Sequence, residues 1–278
     1  MYTYRSLRKA GYTGKLFIVV DDEDKRADEY RKRFGKKVLQ FSKVAVAARI
    51  DEGDNTDDRR TVLYARNACW DLARRVGCRY FIQLDDDYVA FFLRYGRDLG
   101  YGAADITRMD TVLTALLKFY QDTPIASVAF SQGGDHIGGA GVVVDGKVIG
   151  GHPYPELLRK SMNSFILSTD RPFQFSGRLN EDVNTYTVLG RQGKVFFTAM
   201  GAMLVQRQTQ STPGGMTEIY LDRGTYQKSF FAIMYAPSCV KIDVLGDSSS
   251  PHYRIHHEIS WENCVPKILR ETEKKRRT

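Results

Sequence analysis

Long apolar runs are missing from this chain. No segment approaches the ~20 consecutive apolar residues that a membrane-spanning helix needs, and no leader pattern of charged, apolar and small residues is visible. The expectation is therefore a cytoplasmic protein with no membrane partner. Cysteine is scarce: Cys69, Cys78, Cys239 and Cys264 are the four in 278 residues. None is spaced Cys-x-x-Cys, which argues against a zinc knuckle and predicts free thiols. Repeats and long low-complexity tracts are absent. Acid is short relative to base: 33 Asp and Glu against 41 Lys and Arg leave a net charge of +8, with a pI near 9.2. An enzyme for small neutral substrates does not need that excess, whereas a protein that meets polyanions gains steering and counterion release from it.

What is present is enough apolar material, 42% of the residues, for one large domain or two small ones. The opening Thr3–Ala10 reads as a helix. Lys15–Val20 is an apolar strand that runs into Asp21-Asp22-Glu23-Asp24. Lys25–Phe34 reads as an exposed helix closed by Gly35, and Lys37–Phe41 as a second strand. Thr61–Val76 has apolar residues at helical spacing (Val62, Ala65, Cys69, Leu72, Ala73, Val76) and Gly77 as a stop. Tyr80–Leu84 is a buried strand that ends in Asp85-Asp86-Asp87. Ile106–Tyr120 is a helix with Thr107 and Asp110 placed as a capping box, and Ile125–Phe130 is a further strand. Alternating strands and helices predict a mostly parallel sheet covered on both faces. Asp145-Gly146 between two valine-rich runs signals a hairpin, so antiparallel strands join in the second half. Phe165–Leu167, Val195–Met200 and Cys239–Leu245 read as strands and Thr217–Met234 as one helix.

Parallel sheets bind ligands beyond the carboxyl ends of their strands, and two acidic clusters fall at such ends: Asp21-Asp22 and Asp85-Asp86-Asp87. Neighbouring carboxylates repel unless a cation sits between them, and hard oxygen ligands suit Mg²⁺ or Mn²⁺. Such an ion is placed to take diphosphate oxygens. Tyr64-Ala65-Arg66-Asn67 opens the connecting helix, and a helix start beside an Arg favours an anion. Glu181-Asp182, inside Gly177–Asn184, either caps a helix or supplies a general base for an acceptor hydroxyl. His252-Tyr-Arg-Ile-His256-His257 offers an imidazole to complete a metal shell, or is a surface cluster.

In order, Phe17–Asp24 (FIVVDDED), Leu63–Ala73 (LYARNACWDLA), Tyr80–Tyr88 (YFIQLDDDY) and Gly177–Tyr186 (GRLNEDVNTY) resemble glycosyltransferases of the GT-A fold over roughly residues 4 to 257. With Val128–Gly139 (VAFSQGGDHIGG), the chain looks like the TET-associated glycosyltransferase family, phage-type enzymes thought to add sugar to oxidised pyrimidines in DNA. The resemblance implies an α/β, Rossmann-type, GT-A-like domain over residues 1–278. Residues 1–125 would bind nucleotide-sugar and metal, residues 126–266 would bind the acceptor, and residues 267–278 form a basic tail. It implies a UDP-sugar donor, a DNA acceptor carrying 5-hydroxymethylcytosine, and a partner dioxygenase that makes the oxidised base. The donor would meet Asp21, Asp22, Arg66, Asn67, Asp85 and Asp86, and the metal Asp85, Asp87 and either His252 or His256. Asp182, with Glu181 as its rival, would be the base. Gly133, Gly134, Asp135, His136 and Arg178 would meet the acceptor, and Arg207 and the tail its phosphates. GT-A chains usually open with a strand that helps hold the nucleotide base; the opening helix here leaves that role unassigned. Two other readings are open: the same fold acting on a protein, lipid or glycan, and a non-catalytic nucleic-acid-binding module.

Overall fold

The structure, a computed structural model, describes residues 1–95, 102–132, 142–144, 147–149, 164–207, 216–224, 226–245 and 254–265. The helices are α1 (Tyr2–Lys9), α2 (Ala27–Phe34), α3 (Lys43–Ala47), α4 (Leu63–Arg75), α5 (Met109–Asp122), α6 (Glu181–Arg191), α7 (Met216–Arg223), α8 (Gln227–Tyr235) and α9 (Trp261–Cys264). The strands are β1 (Ile18–Asp21), β2 (Val38–Phe41), β3 (Tyr80–Leu84), β4 (Tyr88–Tyr95), β5 (Gly102–Asp105) and β6 (Ser127–Ser131). They continue with β7 (Val142–Val144), β8 (Lys147–Ile149), β9 (Ser164–Ser168), β10 (Phe196–Gln206), β11 (Val240–Leu245) and β12 (Arg254–Ile259).

The fold is mixed α/β, and its strand directions depart from the mostly parallel arrangement expected of the alternation. The main sheet has six strands in the order β3-β9-β6-β10-β4-β5. Only β6 and β10 run parallel there; the other neighbours are antiparallel. The reason is β9. The unit β3–α5–β6 returns β6 in the same direction as β3, but β9 slots between them and runs the opposite way. All five residues of β9 are buried, as befits a central strand. The other parallel pair, β1 with β2, forms its own small sheet. β7–β8 and β11–β12 are antiparallel pairs.

Helix α4 shows why periodicity misplaced a buried face. The expected face was Val62, Ala65, Cys69, Leu72, Ala73 and Val76. The buried residues are Leu63, Tyr64, Arg66, Ala68, Trp70, Leu72 and Ala73. The helix is buried on two sides. Leu63 and Trp70 pack with Phe81, Phe165, Phe173 and Phe175 on the main-sheet side. Tyr64, Ala68 and Leu72 pack with Val19, Leu39 and Phe41 of the small sheet. Gly77, at φ +68°, then turns the chain into β3.

Other boundaries shift for local reasons. The 217–234 helix is two helices, broken where Gly224 adopts φ +85°. Asp110 makes no capping box: α5 has no side-chain cap, and Asp110 instead accepts from the Thr13 amide and hydroxyl, at 3.0 and 2.6 Å. No local sequence pattern marks β4, β5, β12, α3 or α9. α1 and α5 cover the main sheet, packing Leu7, Met109 and Tyr120 with Phe91 of β4 and Phe130 of β6. No described helix is long and apolar enough to cross a membrane.

Candidate active site

The apolar strand β3 delivers Asp85, Asp86 and Asp87 to a tight turn before β4. Helix α1 braces that turn. The amides of Tyr2 and Thr3 donate to the Asp86 carbonyl at 3.0 and 3.1 Å. The Thr3 hydroxyl donates to the Asp85 carbonyl and accepts from the Tyr88 amide at 2.9 Å. One threonine therefore satisfies backbone groups on both sides of the turn and fixes where the carboxylates point.

Arg66 joins two sequence motifs that lie about a hundred residues apart. It is buried on α4 at 3% exposure. Its guanidinium meets Asp85 Oδ1 at 2.6 Å and Glu181 Oε1 at 3.5 Å, and sits 5.3 Å from the centre of the Phe165 ring. Burial works against the charge, but Asp85 and Glu181 outweigh it and hold the Arg66 pKa above its ordinary value. A buried guanidinium of this kind needs its partners, because an uncompensated charge there would be strongly destabilising.

Asp87 is the incomplete member of the cluster. Its Oδ2 accepts from Gln206 Nε2 at 2.9 Å, at the end of β10. Its Oδ1 is buried without a hydrogen bond. Burial raises its pKa, and the charges of Asp85 and Asp86 add to that rise. An acid in this state is short of positive charge. Among the described residues no three His, Cys, Asp or Glu side chains converge as a metal cluster. Mg²⁺-type sites commonly use only one or two carboxylates, with water and substrate phosphates filling the rest.

Glu181 and Asp182 start α6, after Asn180, which adopts φ +61° in the left-handed region that asparagine tolerates. Glu181 is buried, and burial, then Asp182, pushes its pKa up to about 7 despite Arg66. Asp182 is half-buried and receives the Val183 amide on Oδ1 at 2.8 Å. Asn180 Nδ2 is buried with no partner, a donor next to the two acids that no sequence pattern flagged.

The other expected site residues have different surroundings. Asp21 meets Lys43 Nζ at 3.2 Å and caps the Glu23 amide. Asp22 receives the Lys43 amide at 2.9 Å, and that bond leads in holding its pKa low. Asn67 spends its amide on Leu63 and Phe175, acting as a clip for the segment before α6. Arg178 is fully buried and binds Asp54, Tyr64 and the Thr56 carbonyl, which pins the acidic loop 51–58. His256 lies on β12 opposite Asp243. Gly133, Gly134, Asp135, His136, His252 and the basic tail lie outside the described residues. Gln206 and Thr3, which set the Asp turn, come from strand and helix ends that carry no local signal of that role.

A family model for TET-associated glycosyltransferases matches residues 1–215, a span that includes the Asp turn, Arg66 and the Glu181-Asp182 helix start. The chain belongs to the TET-associated glycosyltransferase family. No curated protein and no solved structure matches it. The enzyme is thus a glycosyltransferase, and the class implies a nucleotide-sugar as donor substrate. In this glycosyltransferase, α7, α8, α9, β11 and β12 lie beyond the matched span.

Proposed function

We propose that the enzyme transfers a sugar from a UDP-sugar to the hydroxymethyl group of 5-hydroxymethylcytosine in DNA, with Mn²⁺ or Mg²⁺ held at Asp85 and Asp87. The observation that carries this reading is the junction at Arg66, which sets the Asp turn and the Glu181-Asp182 pair in one ion-paired unit. The Asp turn fits a divalent cation: Asp87 Oδ1 is buried, unbonded and short of positive charge. When bound, that ion supplies charge neutralisation for the departing diphosphate. His252 or His256 is the further ligand in this reading.

The chain's own residues carry the remaining roles. Asp182 accepts the proton of the acceptor hydroxyl through the oxygen not used by Val183, with Glu181 as its rival for that role. The hydroxyl oxygen attacks the anomeric carbon, the bond to the diphosphate oxygen breaks with its electron pair, and the configuration inverts. Arg66, walled in by two carboxylates, holds Asp85 and Glu181 rather than the diphosphate. Asn180 offers its amide to a donor oxygen. The net charge of +8 suits a DNA acceptor, whose base must leave the stack to reach a cleft. A dioxygenase acting first would supply the oxidised base.

Nucleoside mass spectrometry of hydroxymethylated DNA, incubated with a panel of UDP-sugars and Mn²⁺, tests this. A mass gain of one hexose or N-acetylhexosamine on hydroxymethylcytosine is expected, and chelation abolishes it. No gain with any donor overturns the DNA acceptor.

A further inference from the structure

A basic cavity lies beside α1, the helix that braces the Asp turn. Between α1 and the end of α2 lies a cavity of about 300 Å³, lined by Met1, Tyr4, Arg5, Arg33, Phe34 and Lys37. Three of the six are cations and none is an acid. Arg5, Arg33 and Lys37 are exposed and form no ion pair among the described residues. Other basic residues at α2 behave otherwise: Arg26, just before the helix, pairs with Glu29 at 3.1 Å, and Arg31 on it pairs with Asp28 at 2.7 Å. The walls are aromatic. Tyr4 and Phe34 stand 5.2 Å apart, with Lys37 6.0 Å from the Tyr4 ring centre and Arg33 5.2 Å from that of Phe34.

The pattern extends toward the site. Arg207 lies 4.7 Å from the centre of the exposed Tyr2 ring and hydrogen-bonds its hydroxyl at 2.8 Å, while its own amide donates to the Asp87 carbonyl at 3.2 Å. Tyr2 and Thr3 are the residues that hold the Asp86 carbonyl. Tyr2, which meets Arg207, and Tyr4, in the cavity wall, both belong to the first turn of α1. A solvated basic face needs neither a concave wall nor rings between its charges. Unpaired cations track phosphates, and exposed ring faces accept sugar or base edges.

We infer that the α1–α2 cavity, with Arg5, Arg33 and Lys37, is a docking site for the sugar-phosphate backbone of a DNA strand, leading past Arg207 to the Asp turn. This rests on the reading that DNA is the acceptor, and it assigns the residues that hold the strand outside the reacting centre.

The test is the double variant R33E/K37E, with R79E/K118E as a charge-matched control on exposed residues elsewhere. Affinity for a labelled DNA duplex is measured by fluorescence anisotropy across a salt series. For R33E/K37E, Kd rises about tenfold or more and the slope of log K against log salt falls by about 2, one unit per lost phosphate contact. The control keeps most of the affinity and slope. Equal effects of both variants, or none from R33E/K37E, overturn the inference. Sugar transfer separates the two readings. If the wild type glycosylates DNA while R33E/K37E binds it as tightly as wild type, the docking site falls and the function stands. If R33E/K37E loses DNA binding while the wild type transfers no sugar to DNA, the site stands and the acceptor assignment falls.

Discussion

Two apolar strands end in acids, and the two ends differ in charge balance. At β1, Asp21 and Glu23 face Lys43, Glu23 also pairs with Arg59 at 2.7 Å, and Asp22 takes the Lys43 amide. The Lys43 amide, then the Ser42 hydroxyl, holds the Asp22 pKa below its ordinary value. At β3, Asp85 shares one buried guanidinium with Glu181, while Asp87 is pushed up by burial and by its acidic neighbours and keeps an unbonded oxygen. The same sequence pattern thus yields one cluster whose acids are paired with cations and one in which Asp87 lacks such a partner among the described residues. Of the two, the second keeps a buried carboxylate oxygen without a hydrogen bond, so acidic motifs are better ranked by what neutralises them than by their spelling.

The largest expected effect separates the two clusters directly. Asp87→Asn lowers sugar transfer by about a thousandfold, near 4 kcal/mol of barrier, whereas Asp22→Asn retains most of the activity. Steady-state kinetics on both proteins checks it, and equal losses would erase the distinction.

Removing the clamp comes next. Arg66→Ala removes the guanidinium that Asp85 and Glu181 share and destabilises the fold by about 3–5 kcal/mol, as breaking a buried pair does. Denaturant unfolding reads it. Adding Glu181→Gln to that variant recovers part of the loss, because one of the stranded charges is gone.

A smaller effect lies in pH. The Glu181 pKa is raised from 4.5 to about 7 in the fold, so the protonated acid favours the native state. That contribution is full below pH 4.5 and is lost as pH rises toward about 7, at up to about 1.4 kcal/mol per pH unit. Glu181→Gln lacks the titration, so its stability relative to wild type climbs across that window and levels off above it. A parallel pair of stability–pH curves would show that Glu181 is an ordinary carboxylate.

Much of this was legible in the sequence because it is local. β3 and its Asp turn follow from an apolar run with an acidic stop, and Gly77 marks the end of α4. What was illegible depends on partners distant along the chain. β9 turns a parallel pairing into an antiparallel one by entering between β3 and β6. Trp70 faces inward because α4 is covered on two sides. Asn67 and Arg178, polar residues within the Leu63–Ala73 and Gly177–Tyr186 segments, spend their hydrogen bonds on holding loops. The Arg66–Glu181 contact could be read from neither motif alone, since each supplies only half of the pair.

In the proposed function it is the β3 turn, and not the β1 turn, that takes the divalent cation. Titrating Mn²⁺ into the protein with UDP present, and following free Mn²⁺ by electron paramagnetic resonance, tests it most directly. One bound ion is expected in wild type and in Asp22→Asn, and its loss in Asp87→Asn. Undiminished Mn²⁺ binding in Asp87→Asn would contradict it.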